Sequence, residues 1–174
     1  MTAKRWVKLG HILGAIGLTG ALLAHLILLS VAPPPEDLAA YHAIRVAIDS
    51  IARWLLLPSL TLVLTSGLAA LAAHAPFRDQ RWVWAKLLLG LSMFEGTLVS
   101  VQGPAQYGAE ITAKAVAGEI SVAEMIPLLP DEKDVLWLVL TLALINVILA
   151  VWRPRLRFKR MEPAPTATPS GEQS

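Results

Sequence analysis

Four long apolar runs, at about residues 9–31, 54–73, 82–101 and 135–152, divide this chain. Each approaches the ~20 residues that a helix rising ~1.5 Å per residue needs to cross a bilayer. The pattern predicts an all-α fold, a bundle of four transmembrane helices. Trp6, Trp54, Trp82, Trp84, Trp137 and Trp152 fall at the ends of the runs, where aromatic side chains anchor at membrane interfaces. Pro33, Pro34 and Pro35 stop the first helix, and Glu36 and Asp37 favour a new start at its positive dipole end. From there Leu38, His42, Arg45, Asp49 and Arg53 recur at helical spacing, with Asp49 able to pair with either arginine. Helix two therefore carries a helical extracytoplasmic extension, and Pro58 predicts a kink where it enters the membrane. Gly10, Gly14, Gly17 and Gly20 place helix one at the centre of the bundle or of a dimer, because small residues let helices approach in lipid. The loop over 102–134 suggests short helices lying on the outer surface as a lid. Residues 1–160 read as one membrane domain and the Pro/Thr/Ser-rich residues 161–174 as a disordered cytoplasmic tail.

Charge sets the orientation. Alternating sides place Lys4, Arg5, Lys8, Arg78, Arg81, Lys86, Arg153, Arg155, Arg157, Lys159 and Arg160 together, eleven of the fifteen basic residues. By the positive-inside rule both termini are cytoplasmic, and the expected location is a bacterial cytoplasmic (inner) membrane. Composition agrees, with 55% hydrophobic residues in 174. A net charge of +2 concentrated at helix ends points to anionic lipid headgroups rather than nucleic acid. The apolar run of helix one is too long for a signal-peptide core and Pro33 opposes cleavage after Ala32, so retention is expected. There is no cysteine, which excludes disulfides, thiolate metal sites and CxxCH haem attachment.

Ionisable residues inside the runs are the candidates for chemistry, since each is costly in hydrocarbon. His11, His25, Lys86 and Glu95 stand out. His11 and His25 lie about 40° from a common face and about 21 Å apart along the axis. That spacing would serve b-type haem iron near each side of the membrane. His42 and His74, at opposite ends of helix two, do not match those depths, so one haem with one histidine, or sites completed across a homodimer, stay open; a membrane-complex partner is the other partner expected. Glu95 and His25 match in depth, which predicts an intramembrane His–Glu pair or proton relay. Lys86, on the half of the membrane that holds His11, either snorkels to the interface or helps receive an anionic group such as a carboxylate.

The stretch Trp6-Val7-Lys8-Leu9-Gly10-His11-Ile12-Leu13-Gly14-Ala15, then Asp49 and Arg53 before Pro58-Ser59-Leu60, Gly67, and Trp82-Val83-Trp84-Ala85-Lys86-Leu87, resembles the HemJ-type protoporphyrinogen oxidases and CopD-like integral membrane proteins. It is also similar to small bacterial members of that broad group. The resemblance covers roughly residues 5–97 and implies a haem or porphyrinogen role for His11 and Lys86. It departs at Phe94-Glu95-Gly96, where the pattern carries a histidine. Copper handling, the CopD-like expectation, would call for Met or His clusters that this sequence lacks.

Two functions follow as expectations. One is a multi-pass membrane protein binding haem b or a porphyrin in a redox or tetrapyrrole-handling role, with His11 as axial ligand, Lys86 as carboxylate partner and His25 as a further cofactor contact. The other is a non-enzymatic membrane subunit, small transporter or scaffold with the His25–Glu95 pair at its heart.

Overall fold

In hydrocarbon a backbone can satisfy its polar groups only within its own helix, so uninterrupted apolar runs become helices. The computed structural model describes residues 3–73 and 81–152, and every regular element among them is helical. Helix α1 (Ala3–Val31) ends just before the three prolines. Helix α2 (Leu38–Ile51) passes through a π turn (Ala52–Leu56) into α3 (Leu57–Ala73). Helix α4 (Arg81–Thr97) passes through a second π turn (Leu98–Gln102) into α5 (Gly103–Val116). A short α6 (Val122–Met125), a 3-10 turn (Ile126–Leu128) and α7 (Lys133–Trp152) complete the order.

The two π turns share a cause. Pro58 and Pro104 lack the N–H of an α-helical bond, and each ring would press on the carbonyl four residues back. Directly before each proline the ladder widens by one residue: Leu57 N–H bonds to Ala52 O, and Gly103 N–H bonds to Leu98 O. The helices continue rather than break. Leu38–Ala73 is thus one rod of 36 residues and Val83–Val116 one of 34. With Arg5–Val31 these are the three helices, among the described residues, long and apolar enough to cross a membrane. A rod of that length measures about 54 Å against a hydrocarbon core of ~30 Å. The surplus is where α2 and α5 pack on each other.

This corrects the expected layout of 102–134. Residues 103–116 continue the third long helix instead of lying across the surface, because the π turn carries the chain past Pro104. The expected kink near Pro58 takes the form of the first π turn. Past α5, Gly118 adopts φ 78°, a left-handed turn that suits glycine. Ser121 and Glu124 then close a capping box at the start of α6. Met125, fully buried against Ile111 and Ala115, fastens this segment to α5 in a small apolar core of its own. The main core joins all four long elements through Leu22, Ile48, Leu56, Val101 and Leu136.

Helix α1 lies against α3 so closely that glycine is required. A Cβ on Gly14 would stand 2.8 Å from Ser59 O and from Val63 Cγ2, whereas a Cβ on Gly20 would meet nothing within 4 Å. Gly14→Ala is expected to lower the thermal unfolding midpoint in detergent, at a cost of about 1–3 kcal/mol from overpacking. Gly20→Ala is expected to be neutral or stabilising by up to about 1 kcal/mol through helix propensity, and equal effects at the two sites would contradict the close α1–α3 contact.

Candidate functional site

Three distant segments bring ionisable side chains to one buried point. His25 lies on α1 less than two turns from its end, Arg45 in the middle of α2, and Glu132 immediately before α7. Glu132 is 2% exposed, and His25 and Arg45 are each 1% exposed. His25 Nε2–H donates to Glu132 Oε2 at 2.6 Å, and Arg45 Nη2 donates to Glu132 Oε1 at 2.5 Å. Arg45 Nη2 also donates to the carbonyl of Pro104 at 3.2 Å, which brings the start of α5 into the same network. Each carboxylate oxygen thus has its own donor.

Local sequence prepares each partner. Along α2 and into the π turn, the spacing Arg45, Ile48, Ala52 places the arginine on the face that packs inward, and all three are buried. The facing helix makes room with Gly108, since any Cβ there would overlap the Arg45 guanidinium. One turn further along, His42 Nδ1–H donates to Thr112 Oγ1 at 2.8 Å, while the Thr112 hydroxyl bonds back to Gly108 O. The Glu132 backbone carbonyl accepts from Leu136 N–H at 3.0 Å, so the carboxylate sits at the positive end of the α7 dipole.

Burial by itself would push the Glu132 carboxyl up. The His25 hydrogen bond and the Arg45 charge outweigh it, and the group is held below its ordinary value of 4.5. Tyr41, one turn before Arg45, lies near enough to feel both the Arg45 and the Glu132 charge. The other arginine of the extension, Arg53, pairs instead with Asp49 at 3.3 Å on an exposed face.

The expected His25–Glu95 pair is not formed. His25 is taken by Glu132, and Glu95 is exposed on the opposite side of α4 from the buried Met93. Matching depth fixed only the axial coordinate of the two residues, whereas their rotation about the helix axes decides what they meet. Glu95 makes no hydrogen bond or ion pair among the described residues. A carboxylate in the middle of a transmembrane helix costs about 2.5–3.5 kcal/mol. Arg45 and Glu132 were not foreseen as partners. Arg45 had a usable signal in its spacing with Ile48 and Ala52, but Glu132 stands in a loop whose return to the bundle no periodicity announces.

His11 lies at the other end of α1. Its Nδ1–H is directed to Val63 O at 3.1 Å and to Ser66 Oγ at 3.0 Å, and the Ser66 hydroxyl in turn donates to Leu62 O at 2.5 Å. Only a protonated Nδ1 can bond a carbonyl, which fixes the tautomer of the neutral ring. Lys86 falls within α4, but its side chain lies outside the described residues, as does all of His74. A haem ligated by His25 does not fit this arrangement, because the Nε2 that would bind iron is committed to Glu132 inside the core. His11 Nδ1–H is held to a backbone carbonyl, as ligating imidazoles characteristically hold their second nitrogen. Among the described residues no three His, Asp or Glu side chains converge as a metal ion would require. No protein-family model, curated protein or solved structure matches the chain.

Two outcomes follow for the network. Glu132→Ala leaves a buried guanidinium uncompensated and is expected to destabilise by about 3–5 kcal/mol, while Arg45→Met combined with Glu132→Leu should recover most of that loss. Thermal unfolding of the purified variants in detergent reads both. The pH dependence has a definite sign: because the folded carboxyl titrates below its unfolded value, its stabilisation is complete above the ordinary carboxylate range. It declines as pH falls from there through the depressed native value. Glu132→Gln is expected to flatten that acid limb, and an unchanged limb would assign it to other carboxylates.

Proposed function

We propose that this chain is a non-enzymatic membrane subunit or scaffold, with four transmembrane helices, cytoplasmic termini and the α2–α5 end outside a bacterial cytoplasmic membrane. The observation that carries this reading is the manner in which Glu132 is held. A proton relay needs a carboxyl that changes state near neutral pH, poised by a single partner and open to exchange. Glu132 is bonded from two sides, buried, and shifted away from neutrality. Such a group acts as a lock: it fixes α1, α2, α5 and α7 in one arrangement and keeps the 117–131 segment docked over the end of the bundle. Rigidity of that kind suits a protein whose work is to present surfaces to other helices.

The test replaces the lock with apolar groups of similar size. In the variant His25→Leu, Arg45→Met, Glu132→Leu, a scaffold is expected to keep its fold and the hydrogen-exchange protection of residues 117–131. Proteoliposomes of the wild type and of the variant are expected to show the same, background rate of proton entry. Wild-type proton flux that disappears in the variant would overturn the scaffold reading in favour of a relay.

The His11 geometry favours a second reading, in which a haem b or porphyrin is bound at the opposite end of α1, as the resemblance to HemJ-type oxidases implies. His11 would supply an axial nitrogen oriented by Val63 O, and Lys86 a charge for a propionate; the tetrapyrrole, when bound, would supply the electron chemistry. The protein purified from haem-replete cells would then show a Soret band with resolved α and β bands after dithionite, lost in His11→Ala and kept in His25→Leu. A featureless spectrum would remove this reading.

A further inference from the structure

We infer that the exposed face of α4 is the contact between two copies of this chain, paired in parallel about a two-fold axis along the membrane normal, with Glu95 at its centre. The inference is independent of the lock at Glu132. It starts from spacing. Ala85, Leu88, Ser92 and Glu95 of α4, and Val99 in the π turn that continues it, are all exposed, Leu88 at 64% and Val99 at 70%. Their separations alternate between three and four residues, the repeat that forms a continuous seam when two helices pack along their length. The opposite face of α4, with Met93 and Thr97, is the one buried in the bundle.

The polar groups of this seam have no partners among the described residues. Thr19, Thr61 and Thr141, in comparable apolar helices, bond their hydroxyls to the carbonyl four residues back. Ser92 makes no hydrogen bond among the described residues, and neither does Glu95 one turn further on. An acceptor and a donor left open on one stripe of an apolar helix complement themselves under two-fold symmetry. In a parallel pair the Glu95 side chain of one copy meets Glu95 and Ser92 of the other, so the two carboxyl groups can share a proton and the hydroxyls can donate to them. A single polar layer in an otherwise apolar seam also fixes register, which leaves one arrangement favoured over its slipped alternatives.

Other exposed faces lack this requirement. Gly20 of α1 also opens outward, but its exposed neighbours Ile16, Leu23 and Ile27 are apolar and satisfied by lipid tails. Exposed Leu144, Val147 and Ile148 of α7 are likewise apolar. Of these surfaces only the α4 stripe leaves a carboxylate to be covered.

The absence of cysteine makes a direct test available. Leu88→Cys and Val99→Cys, introduced singly and oxidised in lipid vesicles, are expected to give disulfide-linked dimers at least about fivefold more efficiently than Ile16→Cys or Leu144→Cys. In the Val99→Cys background, Glu95→Ala is expected to reduce crosslinking about fivefold or more, while Glu95→Gln, which keeps both hydrogen-bonding functions, retains it. The wild type in mild detergent should have the mass of two chains by light scattering. A one-chain mass without preferential seam crosslinking would overturn the inference. So would a dimer whose crosslinks map to α1 or α7, insensitivity to Glu95→Ala, or capture of a different protein at the Glu95 face.

Discussion

A guanidinium inside an apolar bundle must be neutralised where it stands, and the need to do so at Arg45 governs how this end of the protein is built. Arg45 cannot lose its proton under any ordinary condition. Every element that touches it has therefore to bring either an acceptor or empty space. Glu132 brings the charge, Pro104 a carbonyl, and Gly108 the absence of a side chain. His25 then occupies the second carboxylate oxygen, which would otherwise be a buried acceptor without a donor. Arg45 Nε is buried without a partner among the described residues, so the guanidinium depends on these few contacts, and removing Glu132 would leave its charge uncompensated.

The two prolines supply the geometry that the network presupposes. Had Pro58 and Pro104 ended their helices, α2 and α5 would be separate short segments with eight exposed terminal backbone groups between them. The π turns let each of these long apolar helices extend beyond the length a bilayer span needs, and the extensions then pack antiparallel. Antiparallel pairing aligns His42 with Thr112 and Arg45 with Gly108, one turn apart. The polar contacts between α2 and α5 thus follow from a backbone adjustment made where each helix would otherwise stop.

Sequence patterns made the helices legible and the network almost wholly illegible, for a physical reason. Length and hydropathy determine where a helix can lie in a bilayer, so the apolar runs and the stop at the three prolines could be read directly. Pairing depends on rotation about the axis and on which loops return to the bundle, and hydrophobic periodicity is weak in a helix that is apolar all round. The sequence marks His25 as a residue needing a partner, but depth alone points to Glu95, and the partner is the residue before α7. The 102–134 stretch misled because Gly103 and Pro104 look like the end of a helix. Only the widened turn in front of them reveals that they are not.

Glu132 and Glu95 illustrate how a chain of long apolar helices can divide its polar groups between folding and association. Glu132 is enclosed, and its partners come from within the chain, so its free energy is spent on fixing one tertiary arrangement. Glu95 lies on a helix whose inward face, with Met93 and Thr97, is buried without it. Hydrocarbon tails offer neither group a hydrogen bond, so a carboxyl that folding leaves outside can lower its cost only through another protein surface or through a proton. The same physics that makes Glu132 a lock therefore makes Glu95 a demand for a neighbour. Because the residues flanking it repeat in a two-helix seam, a second copy of the same helix answers that demand with no further requirement on sequence.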